Sequence, residues 1–254
     1  TAVGVMNFFI AKYSPAGEVI WAKATALGAA GATMNKMVVD DNGDIFIQGE
    51  LETSASEVSI GTIQITVTKN RSVIFKITSE GLIEWAETNY IDALTDYEGM
   101  GVSKSGDRMF VDGSEIIFLP IGGVYFVNII YLKDKDNLLI AKVPLSVEFN
   151  TGFQFDVLKV TAINDNSFVV NGRANFNTTV CGTALTTGDD FIARYNPAVD
   201  PTTGDVTVSC QGDAVAVEVV NKLISNGTNV FLLESPPGSL ERSVKRITRG
   251  GIVN

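Results

Sequence analysis

Short apolar runs broken by polar turns recur along the whole chain, and nowhere does a helical period hold. The segment Ala24 to Ala32 is too interrupted by glycine to read as a helix. Phe9-Ile10-Ala11-Lys12-Tyr13 returns as Ile74-Phe75-Lys76-Ile77, as Leu139-Ile140-Ala141-Lys142-Val143 and as Phe191-Ile192-Ala193-Arg194-Tyr195. A fifth copy, Val244-Lys245-Arg246-Ile247, lies near the end. Each is an apolar run carrying one cation, at positions 12, 76, 142, 194 and 246, and each reads as a strand.

The surroundings of these strands recur too. Ser14-Pro15-Ala16-Gly17-Glu18-Val19-Ile20-Trp21-Ala22 matches Thr78-Ser79-Glu80-Gly81-Leu82-Ile83-Glu84-Trp85-Ala86, which predicts strand, tight turn with glycine at positive φ, and strand. A second hairpin is predicted over Met37 to Gly49, turning at Asp40-Asp41-Asn42-Gly43. It is echoed over Met100 to Gly113, Val160 to Gly172 and Val215 to Leu233. One repeat is therefore two hairpins, or four strands, in about 50 to 65 residues, the pattern of a β-propeller blade. A β-sandwich is the competing all-β reading, and copies at matched spacing disfavour it.

At these residues the chain resembles the bacterial β-propeller repeat family of exported and surface proteins with seven-bladed-type repeats. That family shows an apolar-Ala-Lys strand, a glycine turn, a strand with Trp or Tyr, and an Asp-x-x-Gly-Asn turn into a strand ending in glycine. The matching stretches are Phe8 to Ala22, Val38 to Gly49, Val73 to Ala86 and Val102 to Gly113. The resemblance covers most of residues 7–115 and fades afterwards. It implies a propeller in an exported or cell-surface protein, and no particular activity. Its phasing makes residues 7–23 the outer half of a blade, with blades at about 34–88, 97–158, 160–211 and 214–253. The expected fold is thus one all-β propeller domain or segment of about four and a half four-stranded blades. Three readings of that number stand open: part of a longer propeller, a half-blade completed by a neighbouring subunit, or different boundaries in the later repeats.

Composition narrows function mainly by exclusion. The 254 residues include 29 acidic and 19 basic side chains, a formal net charge of −10, and no histidine. Histidine-based nucleophile systems and general bases are excluded, and so is nearly every catalytic zinc site. The acidic balance argues against a nucleic-acid partner. The longest apolar run, Ile116 to Leu132, contains Pro120, Gly122, Gly123 and Asn128 and is too short for a spanning helix, so no membrane insertion is expected. Cys181 and Cys210 sit in strand-like segments. They form a disulfide if the protein is exported and two buried thiols if it is cytosolic.

Few residues stand out as carriers of chemistry. Asp40, Asn42 and Asp44 alternate oxygen ligands as a calcium loop does, but Ile45 and Leu51 occupy the positions where an EF-hand needs Gly and Glu. A hairpin turn explains them better. Lys133-Asp134-Lys135-Asp136 and Asp189-Asp190 read as solvated loop charges at strand edges. The 116–132 run departs most from the repeat. It reads either as an extended hairpin in a blade edge or as a contact surface formed by Ile116, Ile117, Phe118, Leu119, Tyr125, Phe126, Ile129 and Tyr131.

The sequence alone therefore points to a non-catalytic structural or adhesive surface or assembly protein. It would have no catalytic residues and no cofactor beyond a weak calcium candidate, and a protein partner or a second copy as its counterpart. The rival is a propeller that binds or cleaves carbohydrate through pocket carboxylates.

Overall fold

The computed structural model describes residues 9–24, 26–27, 31–52, 57–60, 62–66, 71–88, 99–118, 124–145, 155–217, 220–226, 229–234, 243–248 and 251–253. Among them all regular structure is β-strand, in antiparallel sheets, and no helix occurs. The chain forms two compact units, Thr1–Asp96 and Tyr97–Asn254.

In the first unit, β1 (Phe9–Tyr13) and β2 (Val19–Ala24) form a two-stranded sheet. Next come β3 (Ala26–Leu27), β4 (Gly31–Val39), β5 (Ile45–Glu52), β6 (Glu57–Ile60), β7 (Ile63–Thr66), β8 (Arg71–Ile77) and β9 (Ile83–Thr88). Strands β4, β5, β8 and β9 make the first four-stranded sheet in that order, and β6 and β7, inserted between β5 and β8, join β3 in a small sheet. The two-stranded sheet repeats the outer half of the four-stranded one. Lys12 pairs with Trp21 and Tyr13 with Val19, as Lys76 pairs with Trp85 and Ile77 with Ile83.

The second unit holds three four-stranded sheets. The second is β10 (Met100–Val102), β11 (Arg108–Phe118), β12 (Val124–Asp134) and β13 (Leu139–Pro144). The third is β14 (Phe155–Asn164) and β15 (Ser167–Ala174), then, after the hairpin of β16 (Thr178–Val180) and β17 (Thr183–Leu185), β18 (Asp190–Val199) and β19 (Val206–Val217). The fourth is β20 (Val220–Ser225), β21 (Val230–Glu234), β22 (Ser243–Thr248) and β23 (Gly251–Val253).

The turns explain why these strands reverse where they do. Asp40 accepts hydrogen bonds from the backbone N–H groups of Asn42 and Asp44, both at 2.9 Å, and its own N–H donates to the Asp44 carbonyl. Asp134 does the same for Asp136 and Leu138, with Asn137 at φ 65° in the left-handed position. An Asp side chain that satisfies two turn donors fixes the reversal locally. Gly81 has a further reason to be glycine besides its φ of +86°. A Cβ there would lie 2.9 Å from ring atoms of Trp21, which rests against it.

Strand alternation gives every sheet two faces, and the third sheet packs through both. Ile10 and Trp21 of the two-stranded sheet cover Ile45, Ile47, Val73, Phe75 and Ile77 of the first sheet. In the second unit, Phe110, Ile130 and Leu132 of the second sheet pack on Phe168, Val170, Phe191 and Tyr195 of the third. The opposite side of the third sheet, with Ile163, Val169 and Ile192, packs on Leu223, Val230 and Leu232 of the fourth. Aromatic contacts fill the larger core, with Phe168 stacked on Tyr195 at 5.4 Å and Phe155 edge-on to Phe191 at 5.1 Å.

Register corrects one alignment. Lys76, Arg194 and Arg246 lie opposite Phe46, Val169 and Phe231 on the third strands of their sheets. In the second sheet the residue opposite Phe110 is Leu132. Lys142 lies instead on the fourth strand, opposite Tyr131. The second sheet thus ends at Pro144, and Phe155 opens the third.

Cutting Phe168, fully buried between two sheets, to alanine is expected to lower the unfolding free energy by about 3–5 kcal/mol in a denaturant titration. Leu138→Ala, at a site 65% exposed, should change it by less than about 0.5 kcal/mol.

Candidate functional site

Most polar residues singled out from the sequence turn out to serve the framework. Asp40 caps its own turn, and Asn42 lies beside it within hydrogen-bond reach. Asp44 accepts the Ser79 N–H at 2.9 Å and pairs with Lys76 at 3.0 Å. The Lys76 ammonium, buried in the sheet, also reaches Glu84 at 2.8 Å and stands 5.6 Å from the Phe46 ring centroid. Burial works against its charged form. The two carboxylates outweigh that and hold its pKa above the ordinary lysine value.

The charged loops divide in the same way. Asp190 is buried and pairs with the Arg173 guanidinium through both oxygens, at 2.6 and 3.1 Å. Asp189 accepts from the Thr186 N–H and hydroxyl, which lowers its pKa. Asp200 is held below the usual range by the N–H groups of Thr202 and Thr203.

The 116–132 run is built from two long paired strands, with Ile116 opposite Phe126, Ile117 opposite Tyr125 and Phe118 opposite Val124. Leu119 lies outside the described residues, as do the side chains of Ile116, Ile117, Phe118, Tyr125 and Phe126. Ile129 and Tyr131, which the contact-surface reading included, are buried. The Tyr131 ring occupies the space that a Cβ on Gly113 would need, and its hydroxyl lies 3.1 Å from Glu115, which also binds Lys142 at 2.5 Å. Burial raises the Tyr131 pKa, with the Glu115 carboxylate adding to it. Burial alone raises that of Tyr195.

Cys181 and Cys210 form a disulfide with Cα atoms 5.4 Å apart, which ties the β16–β17 hairpin to β19. Cys181 and Gly182 are the two loop residues of that hairpin, at φ 51° and 83°. Both lie in the left-handed region that a two-residue hairpin of this kind requires.

A cleft does form where turns of the second and third sheets meet. It has a volume of about 310 Å³ and is lined by Asp107, Arg108, Asp134, Lys135, Asp136 and Asp165. The Ser105 hydroxyl donates to Asp165 at 2.6 Å and joins the 103–107 turn to the 164–166 turn. Arg108 folds back on the Asp107 carbonyl at 3.0 Å, and Lys135 on Asp136 at 3.0 Å. Four carboxylates and two cations thus face one small volume, an arrangement with both acceptors and donors for a polar ligand. Sequence reading located Asp134 to Asp136 only as loop charge. Asp107 and Asp165 lie 27 residues or more from them in the chain, and only the packing of two sheets brings the turns together.

No family model and no curated protein sequence matches the chain. Among solved structures it is similar to a point mutant of Synechocystis apocarotenoid oxygenase, at 10% identity and a TM-score of 0.48, over 89% of this chain and 50% of that one. A chimera of that oxygenase with RPE65 matches at 10% identity and a TM-score of 0.47, over 87% and 49%. The cobalt-substituted oxygenase matches at 10% identity and a TM-score of 0.46, over 88% and 50%. The chain spans about half the length of these structures.

These neighbours correct the functional expectation. They are oxygenases and an oxygenase chimera, so the non-catalytic structural or adhesive role, and the statement that the chain is no enzyme, are withdrawn. One of them carries cobalt, so the expectation of no cofactor is withdrawn as well. At this identity and TM-score no activity, substrate or metal passes to this chain. The sequence has no histidine, and among the described residues no group of three or more Cys, Asp or Glu side chains is placed to hold an ion.

The two raised tyrosine pKa values have a testable sign. The fold favours the neutral phenols, so their contribution is complete below the unfolded pKa of about 10 and is lost as pH rises beyond it. Tyrosinate absorbance is expected to show both groups ionising only together with alkaline unfolding. The double variant Tyr131→Phe and Tyr195→Phe should lose less stability than the parent between pH 10 and higher pH, as measured by denaturant titrations at each pH.

Proposed function

We propose that the four-stranded sheets are blades of a β-propeller and that the cleft between the second and third of them is a carbohydrate-binding site. The propeller reading rests on the repeat, on the four-strand meander of each sheet and on the packing of neighbouring sheets face against face within each unit. The resemblance of the repeats to those of exported bacterial propellers supports the same reading.

The observation that carries the site is the cleft itself. Sugar hydroxyls both donate and accept, so they suit a wall in which Asp107, Asp134, Asp136 and Asp165 accept while Arg108 and Lys135 donate. A volume of about 310 Å³ falls at the small end of ligand pockets and suits a monosaccharide or the end of a longer glycan. The Cys181–Cys210 disulfide supports an exported protein, where such a bond persists.

Glycan-array binding followed by calorimetry tests the proposal. The chain is expected to bind one class of glycan, and the variant Asp107→Asn with Asp136→Asn to bind it about tenfold or more weakly, a loss of about 1.4 kcal/mol or more. Both side chains are exposed and neither caps its turn as Asp134 does, so the fold should be kept. Measuring reducing ends in the same samples reads any cleavage. No glycan bound by the parent chain, or equal binding by the variant, overturns the proposal.

A further inference from the structure

The cleft between the second and third sheets carries an imbalance of charge that hydrogen bonding to neutral sugar hydroxyls leaves unused. Asp107, Asp134, Asp136 and Asp165 bring four negative charges to it, and Arg108 and Lys135 bring two positive ones. The Lys135 ammonium lies 3.0 and 3.2 Å from the two Asp136 carboxylate oxygens, so these charges largely cancel. The Arg108 guanidinium donates to the Asp107 backbone carbonyl, which has no charge to offset. One cation then shares the cleft with three carboxylates.

The hydrogen bonds that hold these carboxylates in place leave the surplus standing. Asp134 accepts from the N–H groups of Asp136 and Leu138 at 3.0 and 2.9 Å, and Asp165 accepts from the Ser105 hydroxyl at 2.6 Å. All three donors are neutral, so they orient the oxygens without cancelling their charge. Ser105 also accepts the Asp107 N–H at 3.1 Å, so one hydroxyl ties the 103–107 turn to the 164–166 turn. The chain as a whole adds to the same field, with 29 acidic and 19 basic residues and a formal net charge of −10.

We propose that the cleft takes amino sugars whose nitrogen is a free ammonium, in preference to neutral, N-acetylated or acidic sugars. This rests on the carbohydrate reading of the same cleft and names the class of sugar within it. An ammonium brings a positive charge and three N–H donors and accepts nothing, which matches a wall with surplus carboxylates. The ring hydroxyls of the same sugar accept from Arg108 and Lys135, which a simple polyamine has no atoms to do. A bare metal ion is a poorer match, since among the described residues no group of three or more acidic side chains is placed to hold one. N-acetylation turns the ammonium into a neutral amide and removes the attraction, and a carboxylate or sulfate on the sugar reverses it. Asp107, Lys135 and Asp136 are exposed, so the attraction acts through water and weakens with salt.

Calorimetry with an oligomer of glucosamine and the fully N-acetylated oligomer of the same length tests this. At low salt the first is expected to bind about tenfold or more tightly than the second. Its advantage should fall as salt is raised from about 0.01 M to about 1 M, which shortens the screening length from about 30 Å to about 3 Å. Lys135→Gln, at an exposed position, should tighten glucosamine binding by about threefold, because it removes a cation and unmasks Asp136. A site that worked only by donors and acceptors would lose affinity in that variant. The control Glu18→Gln with Glu80→Gln changes two exposed carboxylates outside the cleft lining and should bind as the parent does. Equal binding of the two oligomers, an advantage that salt leaves intact, or weaker glucosamine binding by Lys135→Gln overturns the inference and leaves the carbohydrate site standing. So does a loss in the control as large as that in Asp107→Asn with Asp136→Asn, which would show general attraction to an acidic protein. If neither oligomer nor any arrayed glycan binds, the inference and the carbohydrate reading fall together.

Discussion

Every four-stranded sheet here is apolar on two sides, and that single constraint organises the molecule. A sheet with one wet face can end a structure, but a sheet such as the third, with Phe168 and Tyr195 on one side and Val169 and Ile192 on the other, cannot. It needs a neighbour on each side. The repeat in the sequence is how the chain supplies neighbours of the right shape, because each unit brings both the surface that must be covered and the surface that covers. Turns capped by Asp40 or Asp134 then fix strand length, so that consecutive faces come into register.

Polar chemistry is consequently pushed to two places. Inside the sheets it includes groups with partners at hand, such as Lys76 between Asp44 and Glu84, or Asn128, whose amide donates to the Phe155 carbonyl at 2.9 Å, and the Tyr195 hydroxyl, which is buried with no hydrogen-bond partner among the described residues. At the turn ends it stands at the surface, where Asp107, Lys135 and Asp136 are exposed. The cleft lined by Asp107, Arg108 and Asp165 arises there. A carbohydrate reading fits this division of labour, with the stack providing rigidity and the turns providing specificity.

Strand content, the turn residues and the equivalence of Trp21 with Trp85 were legible in the sequence, because alternation and turn chemistry are local signals. The third strand of the second sheet was not. Leu139-Ile140-Ala141-Lys142 imitates Phe9-Ile10-Ala11-Lys12 at three of four positions, yet it forms the fourth strand, with Ala141 opposite Leu132 where Trp85 lies opposite Lys76. Third and fourth strands alternate in the same way, and only pairing distinguishes them. The apolar run at 116–132 left two readings open for the same reason, and pairing shows the extended hairpin. What looked like surplus surface is the end of one long strand and most of the next. The cleft was illegible because its walls come from turns far apart in sequence, and no local pattern encodes which turns meet.

The insertion of β6–β7 and of β16–β17 falls at the same place in two sheets, between the second and third strands. In the second sheet the same connection spans only the few residues from Phe118 to Val124. Differences in repeat length between these sheets are thus absorbed at this connection, and the inserted hairpins still reach the packing: Val180 and Leu185 are buried in the larger core and Ile63 packs on the core of the first sheet. Lengthening such a connection costs only a slowly growing closure entropy. This bend is where new loops can be acquired, or foreign segments grafted, while the buried faces keep their spacing, and the disulfide at Cys181 shows one way a grafted hairpin is then fastened down.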